Sequence, residues 1–566
     1  MYNNNLITMG MTADGSYTGI IPRMANRHGL IAGATGTGKT VTLKVMAESF
    51  SDAGVPVFLA DVKGDLAGMC MAGSDSGDMQ ERIRKFNLAD KNFSIKSYPS
   101  RFWDIYGVKG MPLRTTVTEF GPLLLARLLE LNQIQTDILN IVFKIADDEG
   151  LLLLDIKDLK AVLNYCAENA SEYKLDYGNI SSKSVEAITR ALVSLEDRGG
   201  DMFFGEPAVN VLDWFKNAED GRGYINILDS ESLINDTLVY STFLLWMLGE
   251  LFEALPEVGD PEKPKMVFFF DEAHLLFKDT PKALLAKIEQ VVKLIRSKGV
   301  GVYFVTQNPK DIPDSVLAQL GNKIQHALRA YTPSEQKGIR AAAQSFRVNP
   351  EFSTEEAISN LGTGEAVVSF IQEDGSPSMV RIASILPPQS RMGSIDDNMR
   401  NQMIASDSLR STYNDMIERD SAYEFLQRRI AELNEKLEKF KAEEDAAKAA
   451  EKAEREAAKA AEKAEKEAAK AAEKAEREAV KAAEKAEKEA IKAAEKAEKE
   501  AQKEAEKAAK ARKRAVKNVA SAAVGSVGRE LGKNLGDSVG GSLGKTIGGN
   551  VGASLGRGIL STLFKL

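Results

Sequence analysis

The sequence predicts an α/β protein with a mostly parallel sheet, a helical insertion and two low-complexity segments that follow the globular part. Three observations support this fold class. A glycine-rich loop separates an apolar run from a helix-like stretch, later apolar runs end in acidic or amide side chains, and the composition changes near residue 440. Strand-like runs that alternate with helical patterns are typical of parallel sheets. With 566 residues, 43% of them hydrophobic, the chain can bury a large core.

The glycine-rich loop reads GATGTGKT from Gly33 to Thr40 and matches the P-loop pattern GxxxxGK[ST]. An apolar run at 28–32 precedes it, and residues 41–50 have apolar positions at helical spacing. We therefore expect ATP to bind here, with Lys39 on the β- and γ-phosphates and the Thr40 hydroxyl on Mg²⁺. The residues expected to hold the phosphates are Gly33, Ala34, Thr35, Gly36, Thr37, Gly38, Lys39 and Thr40.

A second motif follows the apolar run MVFFF at 266–270, where the chain continues Asp271-Glu272-Ala273-His274. An apolar strand that delivers two adjacent acids fits a Walker B motif. Asp271 is expected to hold Mg²⁺ through water, and Glu272 to polarise the attacking water. His274 is interpreted as a structural or coupling residue rather than a metal ligand.

Two other strand ends carry polar side chains. Residues 299–306 lead to Gln307, whose amide could sense the γ-phosphate, although a turn that ends the strand would also explain it. Residues 55–60 lead to Asp61, with Asp65 four positions later. A role in the site and a turn-capping role are both open for these acids.

About 200 residues separate the strand that ends at Asp61 from the strand that ends at Asp271, which is too long for one crossover and predicts an insertion. Helices are expected at 116–145, 156–168, 184–197 and 233–255, and a strand at 224–229. The predicted domains are the first part of the core at 1–67, a mainly helical insertion at 68–222, the second part of the core at 223–395, a helical segment at 396–440, a long charged helix at 441–517 and a glycine-ladder tail at 518–566.

Residues 449–503 repeat an eleven-residue unit such as AAEKAEREAAK five times. Alanine, glutamate and lysine favour helix, and Glu–Lys pairs at helical spacing add to its stability. Because the apolar positions are almost all alanine, we favour a single long helix that acts as a spacer over a weak oligomeric stalk. The preceding leucines, at 426–437, could form a short coiled coil or dock on the globular part.

Glycine recurs at every fourth position from Gly528 to Gly556, each time after a valine, leucine or isoleucine. A disordered tail is one interpretation, since glycine disfavours helix. We favour a conditional helix that orders when it associates with a copy of itself, a protein partner or a membrane surface, because small residues four apart let helices approach closely.

The charge is uneven: residues 1–440 carry a net −14 and residues 441–566 a net +6. An acidic core does not favour a generally basic nucleic-acid surface, although a ring could conceal a basic lumen. Two cysteines exclude a disulfide framework and a four-cysteine zinc site, so buried thiols are expected. Without a signal-peptide pattern or an apolar run of eighteen residues, a cytoplasmic location is expected.

The motifs GATGTGKT, ADVKGD, FFFDEAH, RSKGVGVYFVTQNP and LGTGEAVVSF occur in this order. Over roughly residues 5–430 the chain resembles the HerA/FtsK superfamily of P-loop ATPases, most closely the YjgR-like bacterial group with a HerA-like helicase C-terminal domain. The resemblance implies a RecA-like ATPase that forms a ring, commonly a hexamer, and moves DNA or sometimes protein. It also implies an arginine from the neighbouring subunit, for which Arg296, Arg329 and Arg340 are candidates.

The sequence departs from the pattern of this family because its P-loop begins at Gly33, so the usual N-terminal β-barrel is not expected ahead of it. The function we predict is an ATP-hydrolysing, ring-forming motor that translocates DNA. The alternatives are an ATPase that drives protein translocation or remodels an envelope complex, with the tail contacting a membrane or protein partner, and a nucleotide switch that does not hydrolyse ATP.

Overall fold

The computed structural model describes residues 1–476 except 4, 90, 92, 234–235 and 278–281. The strands in these residues are β1 (Tyr2–Asn3), β2 (Leu6–Thr12), β3 (Tyr17–Ile20), β4 (Gly29–Ala32), β5 (Val57–Asp61), β6 (Ser100–Asp104), β7 (Met111–Pro112), β8 (Ile225–Asp229), β9 (Met266–Phe270), β10 (Val300–Thr306), β11 (Asn322–His326), β12 (Glu365–Ser369) and β13 (Arg381–Ile385).

The helices in the same residues are α1 (Lys39–Asp52), α2 (Gly77–Lys85), α3 (Val117–Leu128), α4 (Gln133–Glu149), α5 (Ile156–Glu168), α6 (Ala170–Tyr177), α7 (Ser182–Glu196), α8 (Gly200–Phe203), α9 (Thr237–Ala254), α10 (His274–Phe277), α11 (Lys282–Ile295), α12 (Asp314–Leu317), α13 (Pro333–Gln344), α14 (Thr354–Asn360), α15 (Asp397–Ser406), α16 (Arg410–Tyr413) and α17 (Ala422–Glu476).

All of these strands join one mixed sheet in the order β1-β2-β13-β12-β11-β4-β10-β9-β5-β8-β6-β7, with β3 paired to β2. The run from β11 to β7 is parallel throughout. The strands on the other side, from β12 to β1, pair antiparallel. The predicted α/β class with a mostly parallel core is therefore confirmed.

Both faces of the sheet are covered, which explains why β9 is apolar at every position. Phe269 points to the α1 side, where its ring lies 6.3 Å from that of Phe50. The neighbouring Phe268 points to the opposite face, 5.4 Å from the Phe58 ring and 6.4 Å from Trp214. Alternate side chains of one strand thus fill two separate layers of the core.

The segment between β5 and β9 is mainly helical but differs from the prediction in two ways. The single helix expected at 116–145 is divided into α3 and α4, because Asn132 and Gln135 form a capping box that starts a new helix. The range 68–222 also contains β6 and β7, which extend the main sheet beyond β8. Part of the predicted insertion therefore belongs to the core sheet.

The three strands that precede β4, which are β1, β2 and β3, were not predicted. β2 pairs with β13, so that Thr12 lies opposite Ala383. This pairing joins parts of the chain that are far apart in sequence. No local pattern near residue 12 could therefore indicate its partner.

The described residues divide into two compact units, one with 1–168 and 180–422 and the other with 169–179 and 423–476. In the second unit, α17 continues without interruption to residue 476. Ion pairs at 2.7 Å join Glu435 to Lys439 and Glu444 to Lys448, the helical spacing that the sequence indicated. The remaining repeats and the glycine ladder lie outside the described residues, so the predictions for them are not tested by the structure.

The structure also bears on membrane-spanning helices and on the two cysteines. No helix in the described part of the chain combines the length and the apolar character that a membrane crossing needs. Cys70 and Cys166 are both buried free thiols, as predicted.

Candidate functional site

The P-loop connects the end of β4 to the start of α1 and is held by the neighbouring strand ends. The amide of Gly33 donates to the carbonyl of Thr306 at 3.3 Å, and the amide of Ala34 donates to the carbonyl of Ala327 at 2.9 Å. Lys39 Nζ donates to the carbonyl oxygens of Gly33 at 2.6 Å and of Ala34 at 3.1 Å. The loop is thus shaped by the ends of β10 and β11 as well as by its own sequence.

Glycine is required where the loop meets the segment that precedes β12. Gly38 has a φ of 110°, and a Cβ there would lie 3.2 Å from both N and Cα of Gly364. The amide of Gly364 donates to the carbonyl of Thr37 at 3.0 Å. The motif LGTGEAVV therefore packs directly on the P-loop, which gives a physical reason for the two motifs to occur together.

The second site element is the pair of acids after β9. Asp271 is half-buried at the carboxyl edge of the sheet and accepts a hydrogen bond from the amide of Glu272 at 2.9 Å. Burial, together with the charge of Glu272, raises the pKa of Asp271 to about 6. Glu272 has a φ of 47°, a left-handed conformation that is uncommon for a residue with a side chain and is found most often at functional sites.

Asp271 and the P-loop line one cleft of about 250 Å³, with Lys39 and Thr40 among its walls. Burial lowers the pKa of Lys39, while the charges of Asp271 and Glu272 oppose that shift. The structure thus brings together the two motifs that lie more than 200 residues apart in the sequence. A nucleotide site formed by the two motifs requires this proximity of Lys39 and Asp271.

Gln307 joins this group because of the strand order. β10 lies between β4 and β9, so its carboxyl end faces the gap between the P-loop and the acids. Gln307 Nε2 lies 3.5 Å from each carboxylate oxygen of Glu272, the outer limit of a hydrogen bond. The side chain is therefore placed beside Glu272, where a nucleotide-sensing amide would have to be.

Two residues of the site were missed by sequence reasoning. Lys63, in the turn after β5, lies with its Nζ 3.3 Å from Oε1 of Glu272. Burial opposes protonation of Lys63, but Asp271 and Glu272 outweigh it and raise the pKa of this lysine. In the motif ADVKGD the two acids suggested a role in the site or in a turn, whereas nothing local indicated a role for the lysine.

The second missed residue is His326, at the end of β11. It is fully buried beside the P-loop, and burial lowers its pKa to about 4. Its ring nitrogens lie 2.8 Å from Oγ1 of Thr42 and 2.8 Å from the carbonyl oxygen of Glu365. A lone histidine at the end of the strand NKIQH was the available signal, but nothing in the sequence indicated its partners.

The contacts of Asp61 favour the turn-capping alternative. Its Oδ2 accepts hydrogen bonds from the amides of Leu66 at 3.0 Å and Ala67 at 3.2 Å. Burial and the charge of Asp65 raise the pKa of Asp61 to about 7. Asp61 thus shapes the turn that carries Lys63.

The candidate arginines lie outside the cleft of their own chain. Arg296 precedes the amino end of β10, opposite to the edge with Gln307, and its guanidinium lies 3.4 Å from Asp260. Arg329 donates to the carbonyl oxygens of Ser359 and, at 2.9 Å, Leu361. Arg340 forms an exposed ion pair with Glu355 at 3.4 Å.

The residues present fit a magnesium–nucleotide complex. Thr40 and Asp271 supply the hard oxygen donors that Mg²⁺ prefers, and the P-loop supplies amides at the start of α1. Among the described residues, no group of three or more His, Cys, Asp or Glu could hold a metal alone. This agrees with an ion that takes most of its other ligands from phosphates and water.

Comparisons with known proteins point in one direction. The family described as "Helicase HerA-like C-terminal" matches residues 7–485. The "DNA double-strand break repair helicase HerA" of Sulfolobus acidocaldarius is 24% identical over 352 residues, which are 61% of this chain and 62% of that protein. A "Probable helicase MJECL08" of Methanocaldococcus jannaschii is 30% identical over 151 residues, 25% of this chain and 28% of the relative.

Among solved structures, VirB4 of Thermoanaerobacter pseudethanolicus is 16% identical with a TM-score of 0.45, and the alignment covers 68% of this chain and 97% of that one. The chain spans about three fifths of the length of the HerA relative. The activity of that whole protein therefore does not transfer directly.

Proposed function

The chain belongs to the family with a helicase HerA-like C-terminal domain, and we propose that it is an ATP-hydrolysing, ring-forming motor that translocates DNA. One observation carries the proposal. The strands β4, β10 and β9 are neighbours in the sheet, and the chain after each carries a site group: the P-loop with Lys39, Gln307, and the Asp271–Glu272 pair. Lys39 and Asp271 line one cleft, and Gln307 lies beside Glu272. A phosphate cradle, a carboxylate base and a polar amide in one place are the parts that phosphoryl transfer to water needs.

Phosphate binding is the task of the P-loop. Its backbone amides and the positive end of the α1 dipole attract anions. Lys39, which donates to the carbonyls of Gly33 and Ala34, can turn to the β- and γ-phosphates with little movement. Mg²⁺, held by Thr40 and through water by Asp271, would neutralise charge on the phosphate oxygens.

Hydrolysis is assigned to Glu272 and Gln307. Glu272 is placed to accept a proton from a water that attacks the γ-phosphate. Gln307 Nε2, 3.5 Å from both Glu272 oxygens, can hold that carboxylate or the water in position. The left-handed backbone conformation of Glu272 fixes the direction of its Cα–Cβ bond, which favours a defined position for the carboxylate.

We further propose a homo-oligomeric ring, with a hexamer as the expected size. Arg296 is 39% exposed and sits at the sheet edge opposite to its own cleft, so it can complete only a site on a neighbouring copy. An arginine supplied in this way stabilises transition-state charge. Arg329 is the weaker candidate, because two backbone carbonyls already accept from its guanidinium.

DNA is the favoured cargo because relatives that share the matched region are named DNA double-strand break repair helicases. The net charge of −14 over residues 1–440 requires any DNA contact to be local, as in a ring lumen. That charge and the long helix α17 favour the second candidate, a cytoplasmic motor that moves a protein or acts on an envelope complex. A nucleotide switch without hydrolysis is the third.

The test is steady-state ATP hydrolysis by the full chain with Mg²⁺, with and without duplex DNA. The translocase predicts turnover that DNA stimulates. Turnover indifferent to any DNA favours the protein motor, and tight binding without turnover favours the switch.

Subunit mixing tests the ring. Lys39→Ala and Arg296→Ala should each be inactive alone. Their mixture should regain part of the activity, because some interfaces then combine an intact P-loop with an intact arginine. A mixture as inactive as its components would contradict a site shared between subunits.

A further inference from the structure

Glu272 is surrounded by side chains that engage its carboxylate. The side chain is only 7% exposed, and the Lys63 ammonium lies 3.3 Å from Oε1. His274 Nδ1 lies 3.5 Å from Oε2, and Gln307 Nε2 lies 3.5 Å from both oxygens. Lys63 is the member of this group with a fixed positive charge, so its contact restrains the carboxylate most strongly.

We propose that Lys63 is a positioning residue that restrains Glu272, and that ATP hydrolysis requires this ion pair to open. The inference rests on the proposed function, in which Glu272 accepts the proton of the attacking water. An ammonium that binds a carboxylate oxygen competes with that water for the same lone pairs. While the pair is closed, Glu272 is directed to Lys63 and not to the nucleotide.

The backbone of Glu272 cannot release the carboxylate, because it is fixed from several sides. Its amide donates to Asp271 Oδ1 at 2.9 Å, and its carbonyl accepts from the amide of Leu275 at 2.9 Å. The next amide, of Ala273, donates to the carbonyl of Val305 in β10 at 2.9 Å. The direction of the carboxylate is therefore set by its side-chain partners.

Lys63 can leave, in contrast. Its side chain is 49% exposed, so a released ammonium regains water at little cost. It sits in a turn that Asp61 anchors at its far end through the amides of Leu66 and Ala67. A small shift of this turn would open the pair without disturbing β5.

The turn also has a neighbour that could move it. Gly64, with a φ of 71°, leaves no room for a Cβ beside the carboxylate of Glu231. Glu231 pairs in turn with Lys109, in the loop between β6 and β7. A shift of that loop would therefore reach the turn through Glu231.

Lys63 also lines the nucleotide cleft, so a direct contact with phosphate is the competing role. The two roles predict opposite effects of removing the charge. A restraint predicts faster hydrolysis without cargo, whereas a phosphate ligand predicts weaker nucleotide binding and slower hydrolysis. Separate measurement of kcat, KM and nucleotide affinity therefore distinguishes them.

The experiment compares Lys63→Met with the wild type in steady-state ATP hydrolysis and in binding of a fluorescent ATP analogue, with and without duplex DNA. We expect kcat without DNA to rise about twofold to fivefold, since a partly exposed ion pair is worth that much in an equilibrium. KM and nucleotide affinity should stay within about twofold, and DNA should add no further stimulation. Lys63→Arg, which keeps the charge, should keep part of the restraint and raise kcat less than Lys63→Met does.

The matched control is Lys96→Met, which removes an ion pair of similar burial with Asp52, at 2.7 Å, outside the cleft. It should leave kcat and KM unchanged. A lower or unchanged kcat in Lys63→Met, or a clear loss of nucleotide affinity, would overturn the restraint. Lys63→Gln, which keeps the chain length and a polar end, gives the same test if the methionine variant is unstable.

The wild type and Glu272→Gln are measured in the same series. If the wild type does not hydrolyse ATP, the proposed function fails. If the wild type is active and Glu272→Gln is not, the proposed function stands, and the Lys63 variants then test only the restraint on Glu272.

Discussion

Nε2 of His326 lies 2.8 Å from Oγ1 of Thr42, so the last parallel strand of the sheet is bonded to the helix that follows the P-loop. The other ring nitrogen faces the carbonyl oxygen of Glu365 in β12. A neutral imidazole satisfies both contacts, donating to the carbonyl and accepting from the hydroxyl. The position of the P-loop helix thus depends on the antiparallel part of the sheet as well as on the parallel core.

This contact predicts a pH-dependent stability difference between the wild type and His326→Asn. Burial lowers the folded-state pKa of His326 to about 4 from an ordinary value of 6.5. Between these values the unfolded chain binds more protons, so the histidine's contribution to stability is lost as the pH falls from 6.5 towards 4. The wild type should lose on the order of 2 kcal/mol relative to the variant across this range.

The measurement is the free energy of unfolding by urea at pH 7 and pH 5 for both proteins. Taking the difference cancels the contribution of buried carboxyls with raised pKa values, such as Asp61, which changes in the opposite direction. A difference that does not depend on pH would mean that His326 is not buried as a neutral group.

Gly38→Ala should weaken nucleotide binding, because a Cβ at this position presses on Gly364 and the φ of 110° disfavours any side chain. We expect the affinity for an ATP analogue to fall at least about tenfold, since loop amides displaced by a few tenths of an ångström no longer match the phosphates. Gly375→Ala is the control, with a φ of 82° and no atom within 4 Å of the added Cβ. It should leave the affinity unchanged, and an equal loss in both variants would point to general destabilisation.

Gln307→Ala should slow hydrolysis while nucleotide still binds. The amide lies beside the carboxylate of Glu272 and does not form the phosphate loop. We expect kcat to fall about tenfold or more, as is usual when one polar group that acts in the transition state is removed. Gln336→Ala, on the exposed surface of α13, should match the wild type. A raised KM with an unchanged kcat would instead assign Gln307 to ground-state binding.

Phe269→Ala should destabilise the protein strongly, because the ring is fully buried between those of Phe50 and Tyr303. Removing a buried phenyl ring costs about 3–5 kcal/mol. Leu175→Ala, at a side chain that is 95% exposed, should cost less than about 0.5 kcal/mol. Chemical denaturation of both variants measures the difference, and a small cost at Phe269 would contradict its place in the core.

The parts that could be predicted from the sequence are those encoded locally. The GATGTGKT loop, the acids after 266–270 and Gln307 each follow a strand-like run, and parallel strands bring their carboxyl ends to one edge. The cleft that contains Lys39 and Asp271 follows from these motifs, and the structure shows it.

The parts that could not be predicted depend on pairing between distant segments. Strand β6 has the sequence SRFWD. A charged residue such as Arg101 does not indicate a strand that is buried along its whole length. The structure shows that this arginine is buried with Asp407, 3.2 Å away. Lys63 and His326 each contact a side chain more than 200 residues away, Glu272 and Thr42 respectively. Their side chains alone indicate a solvated turn and an ordinary core histidine.

The central claim is that Lys39 and Glu272 act on one bound nucleotide, and separate measurement of ATP binding and hydrolysis tests it most directly. Glu272→Gln should bind a Mg²⁺–ATP analogue like the wild type but hydrolyse ATP at least about a hundredfold more slowly, whereas Lys39→Ala should lose binding itself. Hydrolysis at the wild-type rate in both variants would contradict the account and place any ATPase activity elsewhere.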